Sequence, residues 1–439
     1  MGSDTCKESL RAPSSRLFGG VTKAYRLGAL ADETSRPGLI ISPRMAPIRL
    51  LTFTTLFPNA VQPNLGIFVQ NRLRHLVASG EAVSTVVAPV AYFPSASPRF
   101  GEWAKNAAVP RLEQRHGLTI HHPRFLVIPK IGMTIAPWLL YRAALPYITR
   151  LIAGGAKFDA IDAHYFYPDG VAAVWLGQKL NLPVVVTARG TDVNLIPQYK
   201  RPRQLLQQAI AGADAVVGVS SALRDVLLEL GARPEKAVTL RNGVETDVFR
   251  PLPDRAGIRV GLGLTRKTLI SVGYLIDRKG HHRTIEAMKS LPEFDLIIAG
   301  DGPDRAKLQA QIDQGGLSDR VRLLGSRPHA ELPTLYNAAD AMVLASSREG
   351  WANVLLEAMA CGTPAIAGNI WGNPEVVQNR HAGVIYDPNT PEGIVAGVRD
   401  LFSNPPTRAA TRAYAEPFSW DETTAGQLSL FRRVISERR

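Results

Sequence analysis

The run Arg348-Glu349-Gly350-Trp351-Ala352-Asn353-Val354-Leu355-Leu356-Glu357-Ala358-Met359-Ala360-Cys361-Gly362-Thr363-Pro364 decides how this chain is read. The apolar stretch Ala341–Leu344 before it reads as a buried strand, Arg348–Ala352 as a polar loop, and Asn353 onward as a helix. A strand that passes to a helix across a short loop is the repeating unit of parallel α/β sheets. The start of such a helix presents free N–H groups and the positive end of its dipole, which suits a diphosphate. Glu349 lies in the loop and Glu357 about one turn inside the helix. Taken alone, the two glutamates read more readily as a turn residue and a surface helix residue. The strand, Gly350 and the helix around them favour a ligand site.

The same alternation extends in both directions. Upstream, Ile48–Phe53, Val83–Ala88, Ala160–Ala163, Val184–Thr187 and Ala215–Val219 read as strands, with helical patterns between most of them, including Ile67–Ala78. The pattern breaks at Pro251 and Pro253, then restarts with Thr268–Val272, Phe294–Ala299, Val321–Leu324, Ala341–Leu344 and Pro364–Ala367. Short apolar strands separated by helices predict parallel sheets covered on both faces. The expected fold is α/β: two doubly wound Rossmann-like domains facing across a cleft, with ligands at the carboxyl ends of the strands. Expected boundaries are 45–250 and 251–417, followed by an amphipathic C-terminal helix from 418 that packs back on the first domain. Residues 1–44 are rich in Ser, Arg, Gly and Pro without a sustained period. They read as a disordered extension, and Met45 directly precedes the first strand signal.

Composition narrows the class. The chain has 439 residues, 45% hydrophobic and 20% charged, the profile of a globular protein. The most apolar stretch, Ile131 to Ile152, is interrupted by Pro137, Arg142, Pro146 and Arg150, so it does not read as a membrane span. Its segment Pro137–Arg142, with Tyr147 and Arg150, mixes aromatics with cations, as a core-facing helix or a membrane-interface helix would. Two cysteines, Cys6 and Cys361, make no disulfide framework, so a reducing, cytoplasmic setting is expected. The net charge of +13 is uneven: residues 45–250 carry 22 Lys+Arg against 13 Asp+Glu, while residues 251–439 carry 22 against 21. A basic first half suits an anionic partner such as a membrane surface or a phosphate-bearing acceptor. Zinc-finger spacing and aromatic RNA-binding signatures are missing, so nucleic acid is not expected.

These motifs together resemble the retaining GT-B glycosyltransferases of group 1, family 4 type, across roughly residues 46–436. The segment Glu349 to Glu357 resembles that family's Glu-x7-Glu motif. Asn242-Gly243-Val244-Glu245 resembles its interdomain turn, Val272-Gly273 through Arg278-Lys279-Gly280 its donor-phosphate loop, and Ala299-Gly300-Asp301-Gly302-Pro303 the Gly-rich turn after the second strand of its donor domain. The resemblance implies a nucleotide-diphosphate-sugar donor and a glycan or lipid-linked acceptor. It implies no separate cofactor and a role in polysaccharide biosynthesis; together with the basic first half, the expected location is cytoplasmic and peripheral at the inner face of the plasma membrane.

The resemblance also assigns residues. Glu357 is expected at the donor ribose, Glu349 at the transferred sugar and Lys279 at the diphosphate. Gly273, Arg278, Gly300, Gly350, Asn353, Val354 and Leu355 are expected around the donor, and Ser326–Arg327 at the base. On the acceptor side Asn64, Gly66, His164 and Arg189 are expected, with His164 near the reacting sugar. No Asp-x-Asp pair is placed to hold a metal ion, so cations and the helix start must carry that role. Two positions depart from the family pattern: Tyr274 stands where Arg is frequent, and Arg189 where His is frequent.

Two other classes are open to such a chain. A nicotinamide-dependent oxidoreductase would need a complete Gly-x-Gly-x-x-Gly turn with an acidic residue about 20 positions on, and Gly300-Asp301-Gly302 is too short for it. A sugar-nucleotide-binding module without catalysis would not need Glu349, Glu357 and Lys279 together.

Overall fold

A computed structural model of the chain describes residues 46–128 and 132–438. The expectations for residues 1–44, Met45, Cys6 and Ile131 lie outside the described residues.

The strands, in chain order, are β1 (Ile48–Phe53), β2 (Ala82–Val87), β3 (Val90–Ala91), β4 (Leu112–Arg115), β5 (Leu118–His121), β6 (Arg124–Phe125), β7 (Ala160–His164), β8 (Val184–Ala188), β9 (Ala215–Gly218), β10 (Ala237–Thr239), β11 (Lys267–Val272), β12 (Phe294–Ala299), β13 (Val321–Gly325), β14 (Ala341–Leu344), β15 (Ala365–Gly368) and β16 (Gly383–Tyr386). They form two main sheets, ordered β10-β9-β8-β7-β1-β2-β5-β4 and β13-β12-β11-β14-β15-β16, plus a small ribbon β3-β6. All pairings are parallel except β4–β5. The second sheet has the order of a doubly wound dinucleotide-binding fold, and the first is an extended version of it. The architecture is GT-B: two such layers, each with helices on both faces.

The physical basis is visible along the strands. β7, β8 and β12 are buried at every residue, as required when helices cover both faces of a sheet. Several expected boundaries differ by one residue: β2 begins at Ala82, β15 at Ala365, and His164 is itself the last residue of β7. The antiparallel pair β4–β5 was not expected from the sequence. Its two-residue turn, His116-Gly117, takes positive φ at both positions (50° and 77°), the geometry that matches the twist of a hairpin. Asn-Gly would have announced that turn, whereas His-Gly does not. The edge strands β10 and β16 are only three and four residues long and carry little periodic signal.

The chain ends by crossing back. The Val244 N–H donates to the Phe418 carbonyl (2.8 Å), and a Cβ on Gly243 would lie 2.6 Å from Trp420 N. That close approach requires glycine at the turn. The helix Trp420–Glu437 then packs Leu428, Leu430, Phe431 and Val434 into the same cluster as Val69, Leu73 and Leu76 of the helix Ile67–Ala78. Trp420 stacks on His75 with ring centroids 5.3 Å apart. Phe431 is 1% exposed, so Phe431→Ala leaves a cavity in this seam. It should lower the stability of the first half by about 3–5 kcal/mol, read by denaturant unfolding. A loss below about 1 kcal/mol would show that the terminal helix is not part of that core.

Candidate functional site

Strand order fixes where a site can form. In the first sheet the order reverses between β1 and β7, and in the second between β11 and β14. The loops leaving the carboxyl ends at those points diverge and open a crevice. Most of the family-like residues sit at those points: Asn64 and Gly66 after β1, His164 ending β7, Gly273 to Lys279 after β11, and Glu349 to Glu357 after β14; Arg189, Gly300 and Ser326–Arg327 follow the neighbouring strands β8, β12 and β13.

In the second half, two loops are stitched together. Lys279 Nζ donates to Glu349 Oε1 (2.6 Å), and both side chains are mostly buried. Arg278 NH1 donates to the Arg348 carbonyl (2.9 Å), and the Ser347 N–H donates to the Arg278 carbonyl (2.8 Å). Gly280 has φ 70°, and a Cβ there would lie 2.0 Å from the Ala345 carbonyl oxygen, so only glycine lets the loops meet. Burial pushes the Glu349 carboxyl upward. Lys279, Ser346 and Arg278 outweigh it and hold the group below the usual carboxylate range.

Glu357, on the helix Asn353–Ala360, accepts from Tyr336 Oη (3.1 Å) and pairs with His329 Nε2 (3.2 Å). Burial alone would lower the His329 pKa, but Glu357 and Glu245 raise it overall. Phe249 meets the same imidazole edge-on, 5.0 Å between centroids. Gly300 is held where a Cβ would lie 1.8 Å from the Gly273 carbonyl, so these two glycines serve each other. Ser326 and Arg327 are exposed past the end of β13. The Leu355 side chain is 0% exposed and its N–H donates to the Ala352 carbonyl (3.0 Å). Asn353 and Val354 are half-buried beside it.

In the first half, His164 is 0% exposed. Arg189 NH2 donates to its Nδ1 (2.7 Å) and its Nε2 pairs with Asp162 Oδ2 (3.2 Å), which makes it the neutral, Nε2-protonated imidazole. Burial, chiefly, lowers its pKa to about 4. His164 is thus engaged on both ring nitrogens, by Arg189 and Asp162. Arg189 also packs on the Phe68 ring (5.2 Å) and donates through NH1 to Asn242 Oδ1 (3.2 Å). Asn242 Nδ2 in turn donates to Asn353 Oδ1 (3.2 Å) at the start of the Glu357 helix. One chain of contacts thus runs from Asp162 in the first sheet to the helix of the second. Gly66 packs against its own loop. It has φ 64°, and a Cβ would lie 2.3 Å from the Leu56 carbonyl oxygen, so the space it frees is filled by its own loop. Asn64 is exposed.

Comparison with known proteins supplies the family. The Glycosyltransferase Family 4 description matches residues 66–248, and the Glycosyl transferases group 1 description matches residues 258–417. This chain is a group 1, family 4 glycosyltransferase. It is 25% identical over 358 residues to a putative teichuronic acid biosynthesis glycosyltransferase of Bacillus subtilis, covering 80% of this chain and 88% of the relative. It is 32% identical over 304 residues to the D-inositol 3-phosphate glycosyltransferase of Mycobacterium bovis, covering 64% of this chain and 62% of the relative. Among solved structures, sucrose-phosphate synthase from Thermosynechococcus elongatus superposes with a TM-score of 0.72 at 19% identity, over 89% of this chain and all of the other. The Anabaena HepE protein bound to UDP gives 0.66 at 20% identity, over 88% and 100%.

Several residues at the transferase's site carry no sequence signature. His329 and Tyr336, partners of Glu357, come from a different loop and helix and match no motif of their own. Arg72 is 1% exposed on the helix Ile67–Ala78 and donates to Asn242 Oδ1 (3.3 Å) and the Leu240 carbonyl (2.9 Å). Burial lowers its pKa to about 10. A charged side chain inside an amphipathic helix reads as solvent-facing in any sequence pattern. Asp169 is fully buried and accepts from the Thr55 N–H (2.5 Å) and the Thr54 and Thr55 hydroxyls; burial lifts its pKa to about 7 against those bonds. Thr55 also lines a cavity of about 160 Å³ in the first half, with Phe57, Asn59, Ala91, Asn106 and Phe125. Among the described residues, no cluster of three or more His, Cys, Asp or Glu is placed to hold a metal ion.

The halves of the transferase meet at Gly350, where a Cβ would lie 2.2 Å from the Arg189 carbonyl oxygen. Gly350→Ala must push the Arg189 loop and the Glu349 loop apart. Misplacement on this scale should lower turnover roughly 100-fold while the melting temperature changes little. Unchanged turnover would show that this contact does not set the working geometry.

Proposed function

We propose that this enzyme moves a sugar, with retention of anomeric configuration, from a nucleoside-diphosphate sugar held by residues 251–417 to a hydroxyl of a glycan or lipid-linked acceptor held by residues 45–250. The observation that carries the reading is the convergence of Lys279, Glu349 and the Asn353–Ala360 helix start at the strand-order reversal of the second sheet. Lys279 and Arg278 would face the diphosphate together with the helix start and the backbone of Gly273, Gly300 and Gly350. Negative charge grows on the leaving diphosphate as the glycosidic bond breaks, so preplaced cations lower the barrier without a divalent ion. Glu357 would take the ribose hydroxyls, Glu349 the transferred sugar, and the backbone at Ser326–Arg327 the base.

Retention is assigned to attack on the face the diphosphate leaves. The acceptor oxygen forms the new bond to the anomeric carbon, the bond to the diphosphate oxygen breaks, and the acceptor's proton passes to that departing oxygen. A double displacement would instead need a carboxylate placed as nucleophile beneath the sugar. Glu349, held by Lys279, is engaged as an orienting group.

The two glutamates should fail differently. Ribose contacts exist before and during reaction, so Glu357→Gln should weaken binding of the nucleoside diphosphate about 10- to 150-fold, the cost of a charge-assisted hydrogen bond. Glu349→Gln should lower kcat with near-normal diphosphate binding, read by titration calorimetry. Turnover should survive excess EDTA in either background. Reversal of the two binding results would overturn the assignment of roles, and EDTA-dependent loss restored by Mg²⁺ would overturn the metal-independent reading.

An apolar rim supports a lipid-linked acceptor and a membrane-surface location. The ribbon β3–β6 forms part of the cavity wall, and the chain leaving it exposes Tyr92, Phe100, Trp103, Leu126, Val127 and Ile128. Arg99 lies over Phe100 (4.7 Å), and Arg142 over the exposed Trp138 (5.6 Å). Residues 92–142 carry 7 Lys+Arg against 2 Asp+Glu. Aromatics interleaved with cations suit an anionic lipid surface. Among the described residues no helix is long and apolar enough to cross a membrane. Replacing Trp103 and Leu126 together by Ser should reduce sedimentation with phosphatidylglycerol vesicles at least about 10-fold and leave diphosphate binding intact. No binding by the unaltered enzyme, or equal binding to neutral vesicles, would count against this location.

A further inference from the structure

The segment after β15 contains a carboxylate that leaves its own half of the molecule. Glu375 lies on the single turn Asn373–Val376. Its Oε2 accepts the Ser221 N–H (2.9 Å) and its Oε1 the Ala222 N–H (3.0 Å), the first two N–H groups of the helix Ser221–Glu229 in the first half. Ser220 Oγ accepts the next, from Leu223 (3.2 Å). Arg241, just ahead of the Asn242 turn, adds NH2 to Glu375 Oε2 (2.8 Å) and to Ser221 Oγ (3.2 Å). Its guanidinium lies over the Trp351 ring at 5.7 Å. The Glu375 side chain is 18% exposed, so this carboxylate is largely withdrawn from solvent. A charged acceptor on a helix start is favoured by both hydrogen bonding and the helix dipole.

The surroundings say what this contact holds. A Cβ on Gly372 would lie 2.5 Å from the Gly350 carbonyl oxygen and 3.2 Å from Ser220 Cβ. A Cβ on Gly350 would lie 2.2 Å from the Arg189 carbonyl oxygen. The loop bearing Glu349 is therefore sandwiched between the Glu375 segment and the Arg189 loop, with backbone packed directly on backbone. Glu375 anchors that stack to the first half through a helix end. The ordinary alternative, an N-cap that serves the helix alone, is already supplied by Ser220.

We propose that Glu375 is a positioning residue: its carboxylate clamps the helix Ser221–Glu229 and Arg241 to the second half and so sets the acceptor half against the Glu349 loop. The group does not touch the reacting atoms. Burial pushes its carboxyl upward, and the Ser221 and Ala222 N–H groups with Arg241 more than offset that, so the clamp is charged at neutral pH.

The test compares Glu375→Gln with the unaltered enzyme. Glutamine keeps the size but loses the charge that binds Arg241 and the helix end. Glycosyl transfer should fall at least about 10-fold in kcat, while the Kd for a nucleoside diphosphate, read by calorimetry, stays within about threefold. Small-angle X-ray scattering should show a larger radius of gyration, because the halves separate. Unchanged kcat and radius would overturn the proposal, as would a loss of diphosphate affinity in step with kcat, which would place the effect within the donor loop alone. Should Glu375→Gln fail to fold, Arg241→Gln, altered at a side chain 43% exposed, must give the same changes in smaller degree. Its failure to do so would be equally decisive. The kinetic arm rests on the proposed donor class, whereas the scattering arm does not. An enzyme that turns over no nucleotide-sugar but still expands on Glu375→Gln would sink the functional reading and leave the clamp standing.

Discussion

The 2.6 Å ion pair between Lys279 and Glu349 governs how the rest of the molecule is arranged. A mostly buried pair of opposite charges gains little net stability, because desolvation consumes most of the attraction. Its value here is placement. Lys279 arrives from the loop after β11 and Glu349 from the loop after β14, the two loops flanking the reversal of strand order. Holding a cation and a carboxylate together there requires the surrounding backbone to be drawn in tightly, which is why Gly280 sits on the Ala345 carbonyl and Gly300 on the Gly273 carbonyl.

The opposing wall follows a different electrostatic rule. Arg72 and Arg189 bring two guanidiniums into a region where Asp162 is already shared with His164. Burial, with Arg72 beside it, lowers the Arg189 pKa to about 9, and His164 stays neutral. Asp162 and Asp192 act on Arg189 in the opposite direction, so buried cations and carboxylates face each other in this wall. Asn242 joins this wall to the helix Asn353–Ala360 by accepting from both arginines and donating to Asn353. Its amide is the natural group for that task, because it carries donor and acceptor without adding charge.

Much of this arrangement is legible in the amino-acid order. The sheets appear where β-branched apolar runs alternate with helical periods, and β1, β12 and β14 begin and end where the sequence places them. Glu349, Glu357 and Lys279 are singled out because each lies on a short motif that resembles the family's, whereas the contact of Lys279 with Glu349 spans 70 positions and is not readable. The β4–β5 hairpin is not, because its His116-Gly117 turn lacks a strong signature. His329, Tyr336, Arg72 and Glu375 are not, because each acts on a partner brought close only by the crossing of distant segments.

The sequence alone determined the fold class, since that depends on local periodicity, and its short motifs carried the resemblance to the family and the expectation of which loops form the site. Tertiary structure decided which side chains meet the site. It paired His164 with Arg189, turned Leu355 into the core and gave the space beside Gly66 to Leu56. It also sent Glu375 across to a helix in the other half. Burial, and the field of charges contributed by separate strands, exist only once those strands are packed, and no spacing along the chain encodes them.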